Sequence, residues 1–194
     1  NHLSDKGWRI HLLVMTATGP MSDRLCEEVE LVDLRCISFR KAILNLARYY
    51  VSRRPSIVLT SLYATGLAAI AARFFSRHKP KILVGAHNSL QEKVAHPDNL
   101  KDRWLLMPLC QILFPHADGF IPVSRGLAQE LASVLGLPRN RIRAIYNPVT
   151  SDHLAKLASE PITHPWLDRP VSKHQKILVS VGRLVDQKGY DVLL

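Results

Sequence analysis

Between Trp8 and Asn147, short apolar runs alternate with longer stretches of helical period, and this alternation leaves few folds open. "WRIHLLVMT" and "VELVDL" read as strands. From Ser38 the period changes. Phe39, Ala42, Ile43, Leu46, Ala47, Tyr50 and Val51 recur at helical spacing, which predicts an amphipathic helix capped by Ser38 and stopped before Pro55. "SIVLTS" follows as a buried strand, "TGLAAIAARFFSRH" as a helix ended by Pro80, and "KILVGAH" as another strand. "NSLQEKVAHPDN" reads as a polar loop and "LKDRWLLMPLCQILF" as a helix kinked at Pro108. "GFIPVS" and "RIRAIYN" read as strands, flanking a helix in "SRGLAQELASVLG" that Gly136 closes. Strands that are almost continuously apolar, separated by helices, belong to a parallel sheet covered on both faces. The expected fold class is therefore α/β.

After Asn147-Pro148 the pattern lapses. "TSDHLAKLASEPITHPWLDRPVSKHQ" is proline-rich and holds no sustained period, which suits a linker, and "KILVSVG" then begins a new sheet. The expected organisation is a Rossmann-like domain over residues 1–149, an interdomain linker over 150–175, and the start of a second Rossmann-like domain over 176–194. The opening "NHLSDKG" reads as the last turns of a helix closing at Gly7, and the last run stops in mid-pattern at Leu194. Both features lead us to expect a piece of a longer protein.

In an open parallel sheet, ligands sit beyond the carboxyl ends of the strands, against helix N-termini. Four polar stretches fall at such ends: His87-Asn88, Ser124-Arg125-Gly126, Asn147-Pro148 and Gly182-Arg183. In the last, Gly182 permits a tight turn, Arg183 offers a planar fork of donors, and Lys188 adds a point charge before the next helix. Such a turn can cradle a diphosphate without a metal. Ser124 in "PVSRG" also invites comparison with a hydrolase nucleophile elbow, but that turn needs glycine where Pro122 stands, so Ser124 is better read as a helix cap.

At these residues the sequence resembles the family 4 type of retaining glycosyltransferases, which have the GT-B fold. "KILVSVGRLVDQKGYDVLL" is similar to the entry into their nucleotide-binding domain, and "FIPVSRGLAQELASVLGLPRNRIRAIYNPV" to the last strand, helix and hinge approach of their N-terminal domain. The resemblance implies two Rossmann-like domains facing a cleft, the first lacking its first strand here and the second truncated. It implies a nucleotide-sugar donor and a saccharide or lipid-linked acceptor, with no resident cofactor and no metal. It assigns Arg183 and Lys188 to the donor diphosphate, and puts His87 near the transferred sugar. Gly182, Ser124 and Asn147 would line the donor site. The family's glycine-rich acceptor loop and its acidic E-x7-E motif are expected outside the chain. A sugar-nucleotide epimerase, or a non-catalytic binding module on the same fold, is the alternative.

Composition narrows the partners. The net charge of +10 suits an anionic one. Nucleic acid is disfavoured, because Arg53, Arg54, Arg73, Arg77, Lys79 and Lys81 lack interleaved aromatics on which bases would stack. Lys101, Arg103 and Trp104 beside a long apolar stretch suggest contact with an anionic membrane, and hence a cytoplasmic protein at the inner face of the plasma membrane. Assembly of cell-surface polysaccharide or glycolipid is the expected setting. The three cysteines are scattered, with no C-x-x-C pair, and the histidines show no metal spacing.

Overall fold

The computed structural model describes residues 3–17, 25–95, 100–149, 152–161, 178–185 and 188–193. The chain divides into two compact units, Asn1–Asn147 and Pro148–Leu194.

In the first unit, β1 (Ile10–Val14) pairs in parallel with β2 (Val29–Asp33). A second parallel sheet has the order β3-β4-β5, from Ile57–Thr60, Lys81–Ala86 and Gly119–Pro122. The expected α/β class with parallel strands is thus what forms. The strands fall into two sheets, however, because β1 and β3 are not hydrogen-bonded to each other. Both sheets still pack on the same helices. Leu13, Val32 and Val58 all contact a cluster built from Leu46, Ala47, Tyr49 and Tyr50 of α1 (Phe39–Arg53) with Ala68 and Ala72 of α2 (Tyr63–Phe75).

Helix ends follow local chemistry. The Ser38 hydroxyl accepts the Lys41 N–H at 3.4 Å, and the Ser124 hydroxyl accepts the Leu127 N–H at 3.1 Å at the start of α5 (Arg125–Leu135). Gly136 closes α5 in the left-handed region at φ 61°. Helix α2 stops at Phe75 rather than running to Pro80, since Ser76 is extended and its buried hydroxyl accepts the His78 N–H. Arg73 near the end of α2 donates to Asp118 Oδ2 at 2.6 Å and to the His116 carbonyl, which ties α2 to the approach to β5.

The main core lies between α2, β4, β5, α5 and α4 (Leu100–Leu113), which carries Pro108 inside it. Phe114 and Phe120 meet edge-on there, with ring centroids 5.6 Å apart. Cys110 is fully buried in this cluster, and burial pushes its thiol up to about 12. The thiol must lose a proton to react. Thiol titration of the native protein at neutral pH should therefore label Cys26, the one half-exposed cysteine, and spare Cys36 and Cys110 until unfolding. Fast labelling of Cys110 would contradict this core. A raised acid pKa also sets a sign. The stabilisation tied to neutral Cys110 is complete below about pH 9 and is lost as pH climbs toward about 12.

Other sequence expectations change as well. The stretch expected to be a polar loop after Asn88 contains a helix, α3 (Leu90–Ala95), with His96–Asn99 outside the described residues. The expected strand at 141–147 forms a single bridge, Phe120 to Ile142. Arg143 and Ile145 donate to the carbonyls of Phe120 and Pro122, so the segment runs alongside β5. The missing rung needs an N–H at residue 122, and Pro122 has none. Strand β3 is covered on one face only: Val58 is packed, while Ile57 and Leu59 are exposed. The linker region holds a short helix, α6 (Asp152–Ala158).

In the second unit, Leu178, Val179 and Val181 form no ladder and stand in solvent, so the expected strand is absent over these residues. Without a neighbouring strand among the described residues, an apolar run has no partner for its N–H and C=O groups. A four-residue helix, α7 (Tyr190–Leu193), follows Gly189, whose φ is 61°.

Candidate functional site

In the first unit the carboxyl ends of β4 and β5 form one rim. Their register pairs Ala86 with Pro122, and the Val123 N–H donates to the Ala86 carbonyl at 3.0 Å. His87 and Ser124 are thereby carried to the same edge. Gly85 makes this rim tight. A Cβ there would stand 2.6 Å from the Thr60 carbonyl oxygen and 3.6 Å from His87 Nε2, so the imidazole lies back against Gly85. Because the nearer atom is backbone, Gly85→Ala must push β3 from β4. We expect a loss of about 1–3 kcal/mol of stability, read from a urea melt, with His87 displaced. An unchanged midpoint would show that the strands are not in such close contact.

Two residues that no sequence pattern singles out hold the loop after His87. The Tyr63 hydroxyl donates to the Asn88 carbonyl at 2.6 Å. From α5, Glu130 Oε1 accepts the Ser89 hydroxyl at 3.0 Å, the Leu90 N–H at 2.8 Å and the Gln91 N–H at 3.1 Å. A carboxylate at the first turn of α3 meets the positive end of that helix and two of its unpaired donors. Desolvation, followed by the negative charge of Glu130, raises the Tyr63 pKa and keeps its phenol protonated as a donor. Glu130 sits on a helix face that looks solvated in sequence, and only the fold brings it to residue 89. The buried hydroxyl of Thr60, the last residue of β3, has no hydrogen-bond partner among the described residues.

His87 and Asn88 are exposed. Ser124 spends its oxygen on the Leu127 N–H, which is the cap its position suggested. Asn147 is exposed at the end of the segment beside β5, with no side-chain hydrogen bond among the described residues. Lys101, Arg103 and Trp104 fall in the first turns of α4, and their side chains lie outside the described residues.

The first unit, with helices against parallel strands, fits what the sequence comparison finds. Residues 1–153 match the family model described as Glycosyltransferase Family 4. The chain belongs to glycosyltransferase family 4. Family 4 membership supports glycosyltransferase activity in general, with a sugar donor and an acceptor as substrates. The match spans the whole first unit and ends before Gly182. No curated protein matches the chain significantly.

The Gly182 turn lies beyond the family 4 match. A Cβ on Gly182 would stand 2.9 Å from the Tyr190 hydroxyl and 3.5 Å from both Cδ and Cε of Lys188. The lysine stem and the tyrosine therefore close directly over the glycine, and Tyr190 joins the turn unannounced by the sequence. The loop is held by Val185 N–H to the Arg183 carbonyl at 2.9 Å and Lys188 N–H to the Val185 carbonyl at 2.8 Å. Arg183 and Lys188 are both exposed. Helix α7 has a single turn, so its dipole adds little, and the cations would supply most of the positive field. Among the described residues, no group of His, Cys, Asp and Glu is placed to hold a metal ion.

Proposed function

We propose that the protein is a retaining glycosyltransferase that uses a nucleotide-sugar donor, with Arg183 and Lys188 holding the diphosphate. The observation that carries this reading is the packing at Gly182, where Lys188 is folded onto a glycine turn that also bears Arg183. In the reaction, the bond between the sugar carbon and the phosphate oxygen breaks and its electron pair leaves on the phosphate. The acceptor hydroxyl oxygen forms the new bond on the same face of the sugar and gives up its proton to the departing diphosphate. Negative charge grows on the departing diphosphate. Cations fixed beforehand stabilise that charge more in the transition state than in the ground state, and the difference is what accelerates the step.

His87, backed by Gly85 and with its following loop held by Tyr63 and Glu130, contacts the transferred sugar in this reading. Gly182, Ser124 and Asn147 line the donor site. The acceptor is a saccharide or a lipid-linked saccharide, in the assembly of surface polysaccharide or glycolipid at the cytoplasmic face of the membrane. Lys101, Arg103 and Trp104 contribute to membrane contact. No helix among the described residues is long and apolar enough to cross a bilayer.

The test is transfer of radiolabel from nucleotide-sugars to saccharide acceptors by the full-length protein, with the anomeric configuration of the product read by NMR. Label in a product of retained configuration supports the proposal. Interconversion of sugar epimers without transfer would make it an epimerase, and binding without turnover a non-catalytic module. Because side chains meet the diphosphate charge in this reading, transfer should survive EDTA. Loss on chelation, with rescue by magnesium, would count against it.

A further inference from the structure

The charge of the chain is unevenly placed. Residues 34–91 contain ten basic side chains and no aspartate or glutamate, so the remaining 16 basic and 16 acidic residues cancel and this one segment carries the entire excess of +10. It spans α1, β3, α2, β4 and the loop to α3. Among the described residues, two of its ten cations have carboxylate partners: Arg53 with Glu30 at 2.9 Å and Arg73 with Asp118 at 2.6 Å. The others have none, and they include Arg40, Lys41, Arg48, Arg54 and Arg77.

These cations share a surface with uncovered apolar side chains. Helix α1 turns Ala42, Leu46, Tyr49 and Tyr50 inward. Its outer side carries Arg40, Leu44, Arg48 and Val51 at successive turns, alternately cationic and apolar. Leu44, Ala47, Arg48 and Val51 then line an open groove with Phe75 from the end of α2. Leu44 is 53% exposed, Val51 47% and Phe75 73%, well above what a face packed within the unit would leave.

We infer that this α1–α2 face docks on an anionic lipid bilayer. A bilayer surface offers anionic headgroups to unpaired cations and an apolar layer beneath for Leu44, Val51 and Phe75. Nucleic acid would satisfy the arginines but leave the apolar groove in water, and an apolar protein partner would leave the cations without counter-charge. The face uses none of Lys101, Arg103 or Trp104. It is also independent of the donor-site reading, since neither Arg183 nor Lys188 takes part.

The experiment is cosedimentation of the full-length protein with phosphatidylcholine vesicles, with and without phosphatidylglycerol. Binding should require phosphatidylglycerol and weaken as salt rises. Arg48→Ala with Arg54→Ala should lower partitioning about 30-fold, from about 1 kcal/mol per cation at an anionic surface. Leu44→Ser with Phe75→Ser should also weaken it, and should make the remaining binding more sensitive to salt. Arg139→Ala with Arg143→Ala, which removes the same charge outside the segment, should have much less effect. All three pairs lie on the surface, so circular dichroism and melting midpoints should match the parent. Binding blind to lipid charge, no binding, parent-like binding by the groove variants, or equal loss in the control pair would each overturn the inference. So would RNA or duplex DNA displacing the protein from vesicles at equal phosphate concentration.

Discussion

Replacing Arg183 and Lys188 together with alanine in the full-length protein should lower kcat/KM for sugar transfer by about 10²- to 10⁴-fold. Each charged hydrogen bond to a phosphate contributes about 1.5–3 kcal/mol, so the pair accounts for about 3–6 kcal/mol of transition-state stabilisation. The loss should fall mainly on kcat if the cations act on the departing diphosphate, and mainly on KM if they only retain the donor. Lys188→Arg is a sharper variant. The Lys188 stem lies 3.5 Å from where a Gly182 Cβ would be, and a wider guanidinium cannot take the same path over the glycine. It should restore charge without restoring full rate. A double-alanine enzyme turning over at the parent rate would remove these residues from the mechanism.

Phe114→Ala should be the most destabilising single truncation, at about 3–5 kcal/mol. Phe114 is fully buried, meets Phe120 edge-on and lies 6.1 Å from the Tyr63 ring, measured between centroids. It also stands 3.4 Å from the position a Cβ on Gly66 would take, so α2 closes over it with little room to relax and fill a cavity. Tyr63 anchors the loop after His87, so this core defect should reach the rim as well. Urea unfolding measures the first effect, and the NMR line width of the His87 ring protons the second. Phe75→Ala, at a side chain 73% exposed, is the control and should stay within about 0.5 kcal/mol of the parent. Equal losses at Phe114 and Phe75 would contradict the core described.

Features decided by neighbours in sequence were legible from it. Ser38 and Ser124 announce their helices because a cap needs one side chain and an N–H three residues on. Gly136 announces the end of α5 because few other residues accept its left-handed φ. Features decided by distant residues were not. Helix α3 follows a polar stretch whose first donors are captured by Glu130, 40 and 39 positions away in sequence. The segment after Arg141 reads as a strand by composition, and the residue that costs it a ladder is the proline of its neighbour, β5.

The candidate site divides the same way. The strand ends carrying His87 and Ser124 could be located from apolar runs that stop at polar residues, whereas the run before Gly182 forms no ladder over the described residues. What fixes them could not: Gly85 beneath His87, Tyr63 and Glu130 around its loop, and Tyr190 over Gly182 all depend on pairing or packing. The uncovered apolar face of β3 and the unladdered run at Leu178–Val181 depart from expectation for one shared reason. Apolar composition states that a residue seeks cover, and only neighbouring elements supply it.

Calorimetric titration of the full-length protein with uridine and guanosine diphosphate, compared with the Arg183→Ala, Lys188→Ala double variant, tests the central claim most directly. One of the two nucleotides should bind the parent, and the variant should bind it about 10²-fold or more weaker with its fold intact. Equal affinity in parent and variant would mean that the Gly182 turn does not hold the donor.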